Sequence, residues 1–168
     1  MPNEVAKVFA AFYTNPIAAE ILADLSIDRW DETVIDPACG SGTLLAACYR
    51  RKLELAKKQY GLKNGEVEKE LHKKFLGEQI TGIDIMPFAA HLTAINLSSQ
   101  KLEEPTDILR VVVQDSLDLA PQLKTKEFRN KGILLKPFTE STQITLNFDK
   151  KVSCYCFFIH FVGFYTKI

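Results

Sequence analysis

Three aspartates in this chain come at or just after the end of a short apolar run, and the first also opens a loop with two glycines. The aspartates are Asp36, Asp84 and Asp115, and the glycines are Gly40 and Gly42. Carboxylates accept hydrogen bonds from hydroxyl and amino groups, and glycine lets the backbone turn sharply and approach a ligand closely. These residue types at these positions favour the binding of a polar cofactor.

The apolar runs predict the elements that position these side chains. Short stretches of strand-forming residues lie at 33–36, 80–85 and 108–113, and such apolar runs bounded by turn residues are typical of buried parallel strands. The carboxyl ends of parallel strands meet at one edge of a sheet, where ligands bind in α/β proteins. We therefore predict an α/β fold, a three-layer α/β sandwich in which the three carboxylates gather at one mouth of the sheet.

Helices are expected before the first strand and between the strands. The chain becomes helical from Thr43, and Pro87 suits the first turn of a later helix. Asn15 and Pro16 suit the cap and first turn of an upstream helix. The apolar side chains predicted to form packing faces are Ile17, Ile21, Leu22 and Leu25 upstream, and Phe88, Leu92 and Ile95 after Pro87.

The loop of residues 37–42, called the glycine loop below, fits neither of two common nucleotide-binding patterns. A phosphate-binding loop requires Lys followed by Ser or Thr after its last glycine, but Gly42 is followed by Thr43 and Leu44. The dinucleotide fingerprint requires a third glycine, and Leu45 stands there. A nucleotide-binding oxidoreductase therefore remains only a distant alternative.

The string Asp36-Pro-Ala-Cys-Gly-Ser-Gly-Thr43 resembles the cofactor-binding motif of the N6-adenine DNA methyltransferases, particularly the modification subunits of type I restriction systems. Three further segments are similar to elements of that family and follow its order. They are Phe12-Tyr-Thr-Asn-Pro16, the segment from Thr81 to Leu97, and Val111 to Leu117. The resemblance covers roughly residues 9 to 119.

The resemblance implies a Rossmann-like methyltransferase fold and S-adenosyl-L-methionine (AdoMet) as the cofactor. By analogy, Asp84 would bind the ribose hydroxyls, Asp115 the adenine amino group, and Asp36 would lie near the methionine ammonium. Taken alone, Asp36 also fits a residue that caps a helix or braces a loop. The cofactor-binding residues implied are Thr14, Asp36, Pro37, Ala38, Cys39, Gly40, Gly42, Asp84, Ile85, Asp115 and Ser116.

The family's catalytic motif, Asn/Asp-Pro-Pro-Tyr/Phe, does not occur in this sequence. The nearest candidate is the segment from Ile133 to Phe138, where Lys136 stands in place of the polar acceptor. An ammonium only donates hydrogen bonds, so it cannot hold the target amine. No catalytic residue is assigned, and the chain alone is expected to be inactive. A noncatalytic AdoMet-binding or partner-docking module is the alternative.

Three segments are predicted along the chain. Residues 1–30 form a helical segment with the Phe-Tyr-Thr element, residues 31–120 form the AdoMet-binding core, and residues 121–168 form an atypical tail rich in aromatic residues. The fold is therefore expected to be incomplete at the C-terminus, as in a truncated or frame-shifted reading frame. A divergent strand pair that completes the core is the other interpretation.

The net charge of the chain does not indicate a strongly basic nucleic-acid scaffold, because 21 basic residues balance 21 acidic ones. DNA binding is therefore expected through other subunits or missing segments, with a specificity subunit as the partner that the resemblance implies. Residues 57–77 are interpreted as an insertion of two helical pieces. The basic residues in and before it are expected to lie on a solvated face: Arg50, Arg51, Lys52, Lys57, Lys58, Lys73 and Lys74.

Cysteine and histidine positions predict neither a metal site nor disulfides. Cys39, Cys48, Cys154 and Cys156 lack paired metal spacing, and His72 and His91 are expected to have surface or packing roles. The N-terminus does not resemble a secretory signal, and the apolar run at 152–165 is too short for a membrane span. These observations, with the resemblance, predict a prokaryotic cytoplasmic protein with no membrane partner.

Overall fold

The computed structural model describes residues 14–61, 65–104, 106, 108–119, 133–135, 144–146 and 152–153. Its helices are α1 (Pro16–Ser26), α2 (Thr43–Tyr60), α3 (Gly65–Lys74) and α4 (Pro87–Ser98). Its strands are β1 (Thr33–Asp36), β2 (Ile80–Asp84), β3 (Arg110–Val113), β4 (Ile133–Leu135), β5 (Ile144–Leu146) and β6 (Val152–Ser153). Shorter helical turns lie at Phe75–Gln79, Ser99–Lys101 and Ser116–Leu119.

Four of the strands form one parallel sheet in the order β3-β2-β1-β6. In its register, Val34 lies beside Ile80, and Asp84 lies beside Val113. The predicted α/β fold with parallel strands is therefore confirmed, although β2 and β3 are shorter than expected. β6, within the predicted tail, pairs with the outer side of β1, and β4 pairs with β5 in a separate antiparallel sheet.

Helix α1 packs against α2 through small residues and not through its large apolar stripe. Ala19 and Ala23 are buried, whereas Leu25 is 78% exposed, and Ile17 and Ile21 are also exposed. Small side chains let two helices approach closely, which leaves the longer side chains outside the contact. The predicted packing face of α1 is therefore wrong at these three positions.

Helix α4 contacts α2 and the sheet with a different face from the predicted one. Phe88 and Ile95 are 63% and 65% exposed, whereas Ala90, Thr93 and Leu97 are buried. On this buried face Thr93 lies against the glycine loop, because a Cβ at position 42 would lie 3.0 Å from the Cα of Thr93. The prediction that Phe88 and Ile95 pack inward is wrong.

Lys52 on α2 does not lie on a solvated face as predicted. Its side chain is fully buried, and its Nζ donates hydrogen bonds to the carbonyl oxygens of Trp30, at 2.6 Å, and Glu32. The ammonium also lies 5.0 Å from the ring centroid of Phe75. Burial lowers the pKa of Lys52 to about 7. Lys52 therefore attaches the segment before β1 to α2.

The insertion forms helical pieces, as predicted. Some of its polar side chains lie on the surface, whereas another is buried. Lys57 pairs with Glu68 at 2.8 Å on the surface between α2 and α3. His72, in contrast, is buried, and its Nδ1 lies 2.8 Å from the hydroxyl oxygen of Tyr49. Burial lowers the pKa of His72. The packing role expected of His72 is therefore observed.

The residues that the structure describes include neither a membrane-spanning helix nor a metal-binding cluster. No helix among them is long and apolar enough to cross a membrane. No group of three or more His, Cys, Asp or Glu side chains among them could hold a metal ion. Cys39 and Cys48 are buried free thiols, whereas Cys154 and Cys156 lie outside the described residues.

Candidate functional site

The glycine loop is attached to the ends of β1 and β2. Asp36 is the last residue of β1, and its buried carboxylate accepts a hydrogen bond from the Ala38 N–H at 3.1 Å. The next turn is fixed by the N–H of Cys39, which donates to the Ile83 carbonyl of β2 at 3.0 Å. The N–H of Gly42 donates to the Cys39 carbonyl at 2.7 Å. The loop is thus folded back on itself at the sheet edge.

Gly42 meets two requirements that exclude a side chain. It caps the N-terminus of α2 with a left-handed backbone, φ 76°, a conformation that costs other residues about 1–2 kcal/mol. A Cβ there would also lie 3.0 Å from Thr93. Because the first turn of a helix leaves its N–H groups without intrahelical partners, the loop presents donors beside the strand ends.

Asp84 holds two loops together at the end of β2. Its Oδ2 accepts a hydrogen bond from the Gly40 N–H at 2.9 Å, and its Oδ1 accepts one from the Met86 N–H at 2.8 Å. The side chain stays partly exposed. Because an ionised carboxylate has about four acceptor positions, Asp84 can bind donors of a ligand while it braces the loops.

The register places Asp36 and Asp84 on one face of the sheet. Asp36 lies beside Gly82, and Gly82 and Asp84 are two residues apart, so their side-chain directions coincide. Gly82 also has no room for a side chain, because a Cβ would lie 2.9 Å from Leu45 and 3.1 Å from the sulfur of Cys39. The missing side chain lets the glycine loop and α2 approach β2.

Asp115 lies at the same edge, two residues after β3. The N–H of Gln114 donates to the Asp84 carbonyl at 2.9 Å, which joins the ends of β2 and β3. The Oδ1 of Asp115 accepts from the Leu117 N–H at 2.9 Å. Asp115 thus begins the helical turn Ser116–Leu119, and both Asp115 and Ser116 are partly exposed.

Large apolar side chains lie next to Asp84 and face solvent. Ile85 is 61% exposed and Met86 is 39% exposed. Phe88, interpreted from the sequence as a packing residue, belongs to the same exposed group. An apolar surface beside carboxylate acceptors can contact the face of a flat ring while the acceptors bind its polar substituents.

Cys39 is a packing residue in this loop and not a nucleophile. Burial raises the pKa of its thiol to about 12. Since the thiolate is the reactive form, Cys39 stays neutral at physiological pH. Its sulfur lies 3.4 Å from the hydroxyl oxygen of Thr93.

The remaining predicted positions lie around the loop. Pro37 is partly exposed and Ala38 is exposed. Thr14, also partly exposed, precedes Asn15, whose side chain caps α1 by accepting from the Ile17 N–H at 2.9 Å. The cap prediction is confirmed. Phe12 and Tyr13, like residues 136–138, lie outside the described residues.

Two polar residues of α4 contact the glycine loop and were not predicted as site residues. The Thr93 hydroxyl donates to the Gly40 carbonyl at 2.9 Å, and the Asn96 side chain donates to the Ser41 carbonyl at 3.2 Å. A signal exists in the sequence, because these two polar residues are three apart in a largely apolar helix and so share a face.

A parallel sheet whose strand-end carboxylates face a glycine loop defines a Rossmann-like α/β domain. Residues 2–137 match the family described as N-6 DNA Methylase. Because that match covers most of the 168 residues, the chain belongs to the N-6 DNA methylase family. The predicted family membership is confirmed.

Two solved structures that match this chain are much longer proteins. One is described as the modification subunit of a type I restriction enzyme from Vibrio vulnificus YJ016, with 24% identity and a TM-score of 0.49 over 70% of this chain. Another is the DrdV–DNA complex, with 17% identity and a TM-score of 0.48 over 66% of this chain. This chain spans 22% and 11% of their lengths. No curated protein matches it.

Proposed function

We propose that this chain is the AdoMet-binding portion of a DNA adenine-N6 methyltransferase. The observation that carries the proposal is the Asp84 carboxylate, which contacts the glycine loop and lies on the same face of the sheet as Asp36. Asp115 follows the neighbouring strand at the same edge. The family match supplies the class of reaction, and AdoMet is the cofactor whose polar groups suit these three carboxylates.

Asp84 is assigned to the ribose hydroxyls. Its two bonds to backbone N–H groups fix the carboxylate in place, and its remaining acceptor positions suit a pair of neighbouring hydroxyls. Asp115, with Ser116 beside it, is assigned to the adenine amino group. The exposed side chain of Ile85 lies next to Asp84 in sequence and is assigned to the face of the adenine ring.

The glycine loop is assigned to the methionine portion of the cofactor. Asp36 contributes negative charge near the ammonium, and the backbone of the loop from Pro37 to Gly42 surrounds the amino-acid end. Thr14, which precedes α1, is assigned a supporting contact. Cys39 serves this loop by packing beneath it.

AdoMet supplies an electrophilic methyl group on its sulfonium. This chain positions that group, and a second element must orient the adenine N6 toward it, because transfer relies on such alignment. The sequence carries no Asn/Asp-Pro-Pro-Tyr/Phe motif. We therefore propose that the isolated chain binds AdoMet and transfers no methyl group. A noncatalytic AdoMet-binding or docking module is the second candidate.

The proposed setting is a restriction-modification system in which other segments or subunits contact DNA. The balanced charge of the chain is compatible with this division, since sequence-independent DNA binding depends on basic side chains that contact phosphates. A specificity subunit is the proposed partner for target recognition.

Calorimetric titration tests the cofactor assignment. Wild-type chain is titrated with AdoMet, with S-adenosylhomocysteine and with NAD, beside Asp84→Ala and the surface control Asp28→Ala. We expect both sulfur nucleosides to bind and NAD not to bind. Asp84→Ala should weaken AdoMet binding about tenfold or more, roughly 1.4 kcal/mol, and Asp28→Ala should match wild type. Binding of NAD alone, or an unchanged affinity in Asp84→Ala, would contradict the assignment.

A methyl-transfer assay then separates the two candidates. Tritiated AdoMet is incubated with unmodified DNA and the chain, with and without a supplied segment that carries the missing motif. Transfer that appears only with the supplied segment supports the methyltransferase portion. AdoMet binding without transfer in either reaction supports the noncatalytic module.

A further inference from the structure

We propose that Thr93 and Asn96 of α4 are positioning residues that hold the glycine loop in its binding conformation. The inference deepens the proposed function and rests on it for the identity of the ligand. Thr93 donates to the Gly40 carbonyl at 2.9 Å, and Asn96 donates to the Ser41 carbonyl at 3.2 Å. The two side chains therefore hold two successive carbonyl groups of the loop.

Holding a carbonyl also directs the N–H of the same peptide unit. The described backbone contains no cis peptide bond, and in a trans peptide the C=O and N–H groups point in opposite directions. Because the Gly40 carbonyl points to Thr93, the Ser41 N–H points away from α4. Helix α4 thus sets the direction in which the loop presents this donor.

The loop is held from two sides. On the strand side, Gly40 donates to Asp84 and Cys39 donates to Ile83. On the helix side, Thr93 and Asn96 donate hydrogen bonds to the carbonyl groups of Gly40 and Ser41. A loop with two left-handed glycines has many alternative conformations, so bonds from both sides are what restricts it to one.

Both side chains are themselves fixed by their surroundings. Thr93 is fully buried and fits against Gly42, where a Cβ would lie only 3.0 Å away. Asn96 is partly buried, and its Oδ1 accepts from Gln100 Nε2 at 3.3 Å. That bond orients the amide so that its NH₂ group faces Ser41. Prior ordering of a binding loop raises affinity by reducing the entropy lost on binding.

The test uses the full chain with four variants. Thr93→Val keeps the branched shape and removes the hydroxyl, and Thr93→Ser keeps the hydroxyl. Asn96→Ala removes the second donor. Ser99→Ala is the matched control, because the Ser99 hydroxyl donates to the Asn96 backbone carbonyl at 2.8 Å on the exposed end of the helix and not to a carbonyl of the loop.

Three quantities are measured: amide hydrogen exchange of residues 39–43 and of β2, the AdoMet dissociation constant, and the unfolding midpoint. We expect Thr93→Val and Asn96→Ala to accelerate loop exchange about tenfold while β2 exchange stays unchanged. AdoMet affinity should fall by a similar factor. Thr93→Ser should recover both properties, and Ser99→Ala should match wild type.

The outcomes keep this inference separate from the proposed function. If wild-type chain does not bind AdoMet, the proposed function fails, and loop exchange alone then decides the inference. Unchanged loop exchange in both Thr93→Val and Asn96→Ala overturns the positioning role. Equal acceleration in the loop and in β2 also overturns it, because this indicates general destabilisation. If Thr93→Val does not fold, Asn96→Ala supplies the same measurement.

Discussion

The glycine loop and the segment after β3 lie at the same edge of the sheet but are held differently. The glycine loop is bonded to β2 by Asp84 and to α4 by Thr93 and Asn96. The segment after β3 is held by a local bond from Leu117 to Asp115 and by one backbone bond to β2. Tertiary bonds prepare one half of the site before a ligand arrives, whereas the other half depends on local structure.

The largest effect on stability is expected from adding a methyl group to the glycine loop, the half of the site that tertiary bonds hold in place. Gly42→Ala should lower the free energy of unfolding by about 3 kcal/mol, because it combines left-handed strain with overpacking against Thr93. AdoMet binding should be lost. Denaturant unfolding and calorimetry measure the two effects.

Gly61→Ala is the matched control for that change. Gly61 also has a left-handed backbone, φ 61°, but a Cβ there would meet nothing within 4 Å. It should therefore cost only about 1–2 kcal/mol from backbone strain and leave AdoMet affinity unchanged. Equal costs at Gly42 and Gly61 would show that the contact with Thr93 is unimportant.

A smaller effect is expected when the link between β2 and the glycine loop is removed. Asp84→Ala leaves the Gly40 and Met86 N–H groups without their carboxylate partner. The free energy of unfolding should fall by about 2 kcal/mol, within the range for lost charge-assisted bonds. Denaturant unfolding provides the measurement, and a change below 0.5 kcal/mol, a rough threshold for surface substitutions, would contradict the bracing role.

The opposite end of β1 supplies a pH-dependent test that should leave the glycine loop unaffected. Because burial lowers the pKa of folded Lys52 to about 7, the unfolded chain binds more protons than the folded chain between pH 7 and about 10. Stability should therefore rise with pH in that window by up to about 1 kcal/mol per unit. Below pH 7, Lys52 is increasingly protonated in both states, so its contribution to the free energy of unfolding approaches a constant value.

Lys52→Met isolates that contribution, because other groups titrate alike in both proteins. The difference in unfolding free energy between wild type and Lys52→Met should change steadily from pH 7 to 10, while loop exchange relative to β2 stays the same. A pH-independent difference would show that Lys52 keeps an ordinary pKa in the folded chain.

The smallest effect on stability is expected in the segment after β3, the half of the site that depends on local structure. Asp115→Ala removes a partly exposed bond to Leu117 and should lower the free energy of unfolding by about 0.5 kcal/mol or less. AdoMet affinity should nevertheless fall, because the proposed contact with adenine is removed. A stability loss as large as that of Asp84→Ala would remove the distinction between the two halves.

The strands, the helix cap and the strand-end aspartates were predictable because local patterns encode them. β1 matched its predicted bounds, and Asn15 caps α1 as expected. The Asp36 to Thr43 string also led to the correct family. These features depend on residues that are neighbours in sequence.

The packing faces of α1 and α4 and the burial of Lys52 were not predictable in the same way. Periodicity identifies an apolar stripe but not how closely another element approaches, and here alanines and Thr93 permit the closest contact. The bonds of Thr93 and Asn96 to the loop join residues more than 50 positions apart. Such contacts exist only after the chain has folded.

Gly82 limits how this domain can be redesigned. A Cβ at position 82 would lie 2.9 Å from the side chain of Leu45 on helix α2 and 3.1 Å from the sulfur of Cys39 in the glycine loop, so any larger residue must displace these side chains. Ala38, in contrast, is exposed. A mutant library meant to admit altered cofactor analogues should therefore vary Ala38 and keep position 82 constant.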